Sequence, residues 1–272
     1  MNQVKRFFPI PLLLVLIGCS AYAIYQMAFE SFQLRWLGVF LATTPMAAFF
    51  GYLGVANVAR THPILFVQIG GAVTGTVLTL VDFNLTTFAM AAIPGLIGTM
   101  LYNFWYTPLD RSNTQVEKGK LMPEHTFTDI NGRQISTTDT GNKRLWIFIR
   151  GNWCPLCVAQ VDEISAQYKQ LADLGTDVFF ISSQSQKHSQ DLAKRFDAPL
   201  GFLVDTDNAG AKALGLDHSS GVPFGLPGYD ADTAFPTVII TDENGKVIYL
   251  DQTDDYRIRP EPSQFISALS AA

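Results

Sequence analysis

The sequence predicts two fold classes in one chain. An all-α bundle of about four transmembrane helices covers residues 1–109, and an α/β domain with a mixed sheet covers residues 125–272; a linker over 110–124 joins them. Three observations predict this. Most long apolar runs lie before residue 107, while most Asp and Glu lie after it. Strand-like and helix-like stretches alternate through the second half, the pattern of a sheet covered by helices. At one strand-to-helix junction stands Trp153-Cys154-Pro155-Leu156-Cys157, two cysteines three apart that can close a small disulfide ring and open it again.

In the first half, Pro9 to Ala28, Trp36 to Val55, Ile64 to Val81 and Phe88 to Tyr106 contain no Lys, Arg, Asp or Glu. A helix needs about 20 such residues to cross the hydrocarbon core. Four uncharged runs in a row argue against core helices of a soluble protein. Small residues at Gly70-Gly71-Ala72, Gly75, Gly95 and Gly98 allow close helix packing in lipid. Tyr102, Trp105 and Tyr106 suit an interfacial aromatic belt. Lys5 and Arg6 before an apolar run resemble a signal peptide, and Leu16-Ile17-Gly18-Cys19 resembles a lipoprotein cleavage box. The run continues through Phe29, as an uncleaved span does, so Cys19 is read as a lipid-embedded small residue.

With four spans the chain start, the loop holding Arg60 and the second half share one side of the membrane. That side carries Lys5, Arg6, Arg60, Arg111, Lys118 and Lys120, against Arg35, Glu30 and Asp82 on the other. The positive-inside rule then places the second half in the cytoplasm of a bacterial inner membrane, or in the periplasm if the span count is odd. No cysteine pair, acid or histidine lies inside the spans, so they read as an anchor or a docking surface rather than an ion or thiol path. Asn57 and Gln68 read as helix-packing residues.

In the second half, Phe127 to Ile130 and Gln134 to Ser136 form a hairpin around Asn131-Gly132. Leu145 to Ile149 is a buried strand. Val158, Val161, Ile164, Tyr168 and Leu171 follow helical spacing from Pro155 onward. Val178 to Ile181 is a strand, Gln186 to Phe196 an exposed helix, Gly201 to Val204 a short strand and Ala209 to Leu214 a helix. Residues 217–234 read as a loop. Pro236 to Thr241 and Val247 to Leu250 are strands around Glu243-Asn244-Gly245, and Pro262 to Leu269 is the last helix.

Cys154 falls at a helix N-cap, where unpaired N–H groups and the helix dipole favour a thiolate, so it is expected to be exposed, with a depressed pKa. Pro155 suits the first helical position. Cys157, one turn in and more buried, fits a resolving role. Attack by Cys154 on a disulfide, or on a peroxide by way of a sulfenic acid, leaves the same internal disulfide. The motif alone does not separate the two. Half of a zinc site would need two further ligands, and His125, His188 and His218 show no ligand spacing. The acids Asp205, Asp207, Asp217, Asp230 and Asp232 match no calcium loop. A copper carrier would want a wider cysteine spacing. No cofactor and no metal are expected, and the net charge of −5 gives no reason to expect nucleic acid.

Three stretches carry a resemblance: Arg150 to Cys157; Val204-Asp205-Thr206-Asp207 with Ala211 to Leu216; and Asp255 to Pro262. Together with Phe235-Pro236-Thr237 opening a late strand, they resemble the thioredoxin fold and its peroxiredoxin-like branch, the redoxins of the alkyl hydroperoxide reductase and thiol-specific antioxidant group. The resemblance implies a thiol-dependent oxidoreductase with an antioxidant role, cycling Cys154 and Cys157. Electrons would come from a thioredoxin or glutathione system and go to a peroxide or a protein disulfide. It implies that Pro236 is a cis-proline holding the Phe235 backbone for an extended substrate. Arg150, at the strand's end, is read either as stabilising a thiolate or leaving oxygen or as an exposed surface arginine, and Trp153 either as shielding the cysteines or as packing across the loop. One position departs from the family: Gly151 stands where peroxiredoxins carry the Thr or Ser hydroxyl that helps bind peroxide, which favours disulfide exchange. The alternative from another class is a membrane docking or assembly protein whose redox domain mainly binds a partner; a channel regulated by the domain is a third.

Overall fold

A computed structural model describes residues 2–271. Its first half is a helical bundle: α1 (Gln3–Glu30), α2 (Leu34–Val55), α3 (Phe66–Val81) and α4 (Leu85–Tyr106). By length and composition α1, α2 and α4 can cross a membrane. α3 has 16 residues, a rise of about 24 Å against a hydrocarbon core of about 30 Å. The expected span from Ile64 is shortened because Pro63 precedes it and the His62 Nδ1 accepts the Ile64 N–H at 3.1 Å, holding a turn. Among the described residues the four expected spans are therefore three long helices and one short one.

The small residues do what their spacing suggests. A Cβ on Gly75 would lie 2.4 Å from both the Gly38 carbonyl oxygen and the Ala42 nitrogen, so α2 and α3 touch backbone to backbone. Gly71, Gly95 and Gly98 make room for the side chains of Pro45, Ala42 and Leu12, while Gly70 faces open space.

The second half contains nine strands: β1 (Thr126–Asp129), β2 (Gln134–Ser136), β3 (Lys143–Phe148), β4 (Thr176–Ser182), β5 (Gly201–Val204), β6 (Asp217–His218), β7 (Thr233–Ala234), β8 (Thr237–Thr241) and β9 (Val247–Asp251). Seven form one sheet in the order β2-β1-β5-β4-β3-β8-β9, with β3 parallel to β4 and antiparallel to β8. The helices are α5 (Pro155–Ala166), α6 (Tyr168–Asp173), α7 (Gln186–Ala193), α8 (Ala209–Ala213) and α9 (Pro262–Ser270). The period of two along β3 assigns its faces: Leu145, Ile147 and Ile149 join one apolar cluster, Trp146 and Phe148 the other. The helical run after Pro155 breaks at Gln167, where φ is −99° and ψ 5°, into α5 and α6. Within the expected loop 217–234, β6 and β7 pair His218 with Thr233.

The stretch 110–124, expected as a linker, lies against the domain. Val116 and Met122 are buried, and the N–H groups of Gly119 and Met122 donate to Val247 and Gly245 at 2.8 and 3.0 Å. Its few apolar side chains, hidden in an otherwise polar string, find a sheet edge to cover.

Candidate active site

β3 delivers the chain to Ile149, and Arg150 to Trp153 form the turn before α5. Cys154 caps that helix in an extended conformation, its carbonyl accepting the N–H groups of Cys157 and Val158 at 3.0 and 3.1 Å. Cys154 and Cys157 are both free cysteines. Both are buried: Cys154 is 2% exposed and Cys157 0%. The expectation of an exposed Cys154 is not met, because Tyr106 at the end of the helical bundle stands beside it.

The electrostatics also differ from expectation. Cys157 Sγ accepts the Arg150 N–H at 3.4 Å and faces the Arg259 guanidinium at 3.9 Å. Burial pushes the Cys157 thiol up, but the hydrogen bond from Cys154, the Arg259 charge and the Arg150 N–H outweigh it and hold the group at about 5. Cys154 is pushed well above its ordinary value, first by the hydrogen bond it shares with Cys157 and then by burial. The two sulfurs share one proton, and the first ionisation of the pair is the easy one. The helix N-terminus, which favours a thiolate at Cys154, is outweighed by the hydrogen bond between the two sulfurs and by the Arg259 charge and Arg150 N–H at Cys157.

Arg150, 4% exposed, is held between aromatic rings, 4.8 Å from Trp153 and 4.7 Å from Tyr256, and donates to the Gly221 carbonyl at 2.5 Å. Its carbonyl accepts from Thr233 Oγ1 at 2.8 Å, which ties the turn to β7. Gly151 has a φ of +139°, and a Cβ there would lie 2.7 Å from Trp153 Nε1 and 2.9 Å from its Cδ1. The indole thus fills the space a side chain would take, and left-handed backbone disfavours Thr or Ser at this place. Asn152 is fastened by Gln184 and by Tyr229, whose hydroxyl donates to Asn152 Oδ1 at 2.5 Å while its ring stacks on His188 at 4.4 Å.

Phe235 and Pro236 enter β8 beside this turn, but not as expected. Among the described residues no peptide bond is cis, so Pro236 is trans. The Phe235 N–H donates to Leu216 at 2.7 Å, and Arg111 donates to the Pro236 carbonyl at 2.6 Å. Arg111 also lies 5.0 Å over the Phe235 ring. The backbone edge expected to pair with a substrate is occupied by the chain's own groups. His218 stacks on Phe235 at 4.8 Å, and burial pulls its pKa down to about 3, so the ring is neutral. Among the described residues no cluster of His, Cys, Asp or Glu is arranged to hold a metal.

The strip Asp255 to Pro260 carries what the sequence reading missed. Arg259 reaches Cys157. Arg257, 0% exposed, donates to the Pro63 and His62 carbonyls at 2.6 and 3.3 Å and pairs with Asp255 at 3.0 Å. The Tyr256 hydroxyl shares a 2.5 Å hydrogen bond with Tyr102 of α4. The available signal was the resemblance already carried by Asp255 to Pro262, whose Tyr256, Arg257 and Arg259 crowd an aromatic and two charges into four positions.

A family model described as Redoxin matches residues 117–268, more than half of the chain. A thiol-disulfide oxidoreductase ResA of Bacillus thuringiensis is 22% identical over 155 residues, covering 57% of this chain and 78% of that protein. ResA of Geobacillus thermodenitrificans is 21% identical over 162 residues, 59% of this chain and 82% of that one. Among solved structures, reduced Prx3 of Vibrio vulnificus superposes with a TM-score of 0.51 at 18% identity, covering 57% of this chain and 99% of that one.

Proposed function

Because the chain belongs to the redoxin family and is a thiol-dependent oxidoreductase, we propose that it catalyses thiol-disulfide exchange at Cys154 and Cys157, with protein disulfides rather than peroxides as its main substrates. The observation that carries this reading is Gly151. Its left-handed φ and the Trp153 indole against it leave no room for the hydroxyl that a peroxide site of this family would place there. The names of the ResA relatives point the same way.

The geometry supports a two-step route. Cys154, at the helix N-cap, passes its proton across the shared hydrogen bond to Cys157 and attacks one sulfur of the substrate. A mixed disulfide forms and one substrate thiolate leaves. The departing substrate thiolate takes the proton from Cys157, whose thiolate, stabilised by Arg259 and the Arg150 N–H, attacks Cys154 Sγ and releases the second substrate sulfur as a thiolate that takes a proton from water. One substrate disulfide becomes two thiols, and the dithiol becomes a disulfide. A thioredoxin or glutathione system returns the two electrons.

The helices α1, α2 and α4 support membrane attachment. With the chain start, the loop 56–65 and Thr107 all against the α/β domain, the positive charges of that side favour a cytoplasmic redox domain at a bacterial inner membrane. The test uses the full reduced chain in nanodiscs, with tryptophan fluorescence followed after mixing with a protein disulfide or with hydrogen peroxide. Faster exchange with the disulfide, lost in Cys154→Ser, is the expected result. A saturating peroxide response that outruns the disulfide would overturn the reading.

A further inference from the structure

We propose that the membrane bundle is a lid on its own redox centre, and that the chain opens by parting the seam between its two halves before Cys154 meets a macromolecular disulfide. This rests on the exchange reading above and adds a regulation to the same site.

The lid is made of α4 and the loop between α2 and α3. Tyr106, the last residue of α4, packs edge-on against Tyr256 at 5.7 Å and stands beside Arg150 and Cys154. Leu12, Leu16, Met46, Phe49, Leu65 and Tyr102 belong to the same buried cluster as Cys154 and Cys157, so the bundle's apolar core runs unbroken to the sulfurs. An incoming thiol-disulfide exchange needs a third sulfur in line with Cys154, and a folded partner cannot place one there while Tyr106 and the end of α4 stand beside it.

The rim of the seam is polar. Arg60 forms an ion pair with Glu163 of α5 and donates to the Arg259 carbonyl at 3.1 Å. Asn57 Nδ2 donates to Asp162 Oδ2 at 2.7 Å. Both acids sit on the helix that Cys154 caps. The Arg60 and Glu163 side chains are 26% and 33% exposed, so salt and local charge reach them. One covalent crossing, at Thr107-Pro108, links the halves here, and beyond it Arg111 fastens the chain to the α/β domain through Thr253 and Pro236. A pivot at 107–108 breaks the bonds from the Tyr256 N–H to Thr107 and from the Phe224 N–H to Arg6, at 3.4 and 3.0 Å, and leaves those of Arg111 in place.

The experiment measures access rather than turnover. Full-length reduced protein in nanodiscs is alkylated with a bulky maleimide, and modification is counted at the Cys154 peptide by mass spectrometry, apart from Cys19. The variant Asn57→Asp with Arg60→Glu sets like charges against Asp162 and Glu163. Adding Asp162→Asn and Glu163→Arg restores complementary pairs. Alkylation is expected to rise about tenfold in the first variant, the opening expected of two like-charged pairs across a part-exposed seam, and to fall back in the second. High salt should speed alkylation of the unmodified chain. Equal rates in all three proteins, or a wild-type Cys154 that reacts as fast as a free thiol of matched ionisation, would overturn the lid. If alkylation follows the seam while protein-disulfide exchange stays absent throughout, the lid stands and the exchange reading fails.

Discussion

The two halves of this molecule are packed by opposite means. In the bundle, helices meet where side chains are missing: the Gly38 and Gly75 backbones touch, and Gly71, Gly95 and Gly98 leave room for neighbours. In the α/β domain the sheet is filled by large side chains, with Trp146, Phe148, Phe127 and Phe180 fully buried. Close backbone approach of this kind suits helices able to cross a membrane, since lipid gives them no hydrophobic reason to associate; water gives the sheet that reason. Neither half alone explains the three buried guanidiniums of Arg150, Arg257 and Arg259. Arg257 ties the strip 255–260 to the loop before α3, while Arg150 and Arg259 stand by the sulfurs. The difference teaches that the chemistry belongs to the seam.

That contrast can be broken from either side. The largest effect is expected from Gly75→Leu, which forces a side chain into backbone already in contact. The full chain should fail to assemble its bundle, as read by loss of the monodisperse peak in detergent, whereas Gly70→Leu, facing open space, should behave as the parent. In the α/β domain the damaging change is the reverse one. Trp146→Ala empties a fully buried site and should cost about 3–5 kcal/mol in chemical denaturation.

At the seam the effects are electrostatic. Arg259→Met keeps much of the volume and removes the charge facing Cys157. The thiolate absorbance near 240 nm, which should titrate near pH 5 in the parent, should move toward the ordinary thiol range. A depressed thiol pKa stabilises the folded reduced form above the unfolded thiol value, and that contribution is lost as pH falls through the folded one. The melting temperature of the reduced chain, measured against its oxidised form, should therefore fall from about pH 8.5 down to pH 5. The smallest effect on stability belongs to Arg60→Ala, a part-exposed ion pair contributing about 1 kcal/mol or less; calorimetry should barely register it.

Much of this was legible in the sequence. The hairpin at Asn131-Gly132, the strand Gly201–Val204 and the helix opening at Pro155 follow from turn residues, apolar runs and caps, all local signals. The glycine contacts were legible from spacing. What was not legible is long-range. Nothing near Cys157 announces that Arg259, far along the chain, will face its sulfur. Pro236 carries no local mark of its trans bond, nor Phe235 of an N–H already given to Leu216. The segment 110–124 looked like a linker because its buried residues, Val116 and Met122, are too few to make a pattern. Cys154 looked exposed because a helix N-cap in a lone domain would be, and the cover comes from the other half of the chain.

The central claim is that Cys154 attacks a disulfide and Cys157 resolves it. It is tested most directly by trapping the intermediate: Cys154→Ser and Cys157→Ser variants of the full chain are each mixed with a small aryl disulfide, and the adduct is located by mass spectrometry. A stable mixed disulfide on Cys154 in the Cys157→Ser protein, with little on Cys157 in the other, is the expected result. An adduct that forms readily on Cys157 in Cys154→Ser and not on Cys154 in Cys157→Ser would contradict it and make the low-pKa sulfur the attacking one.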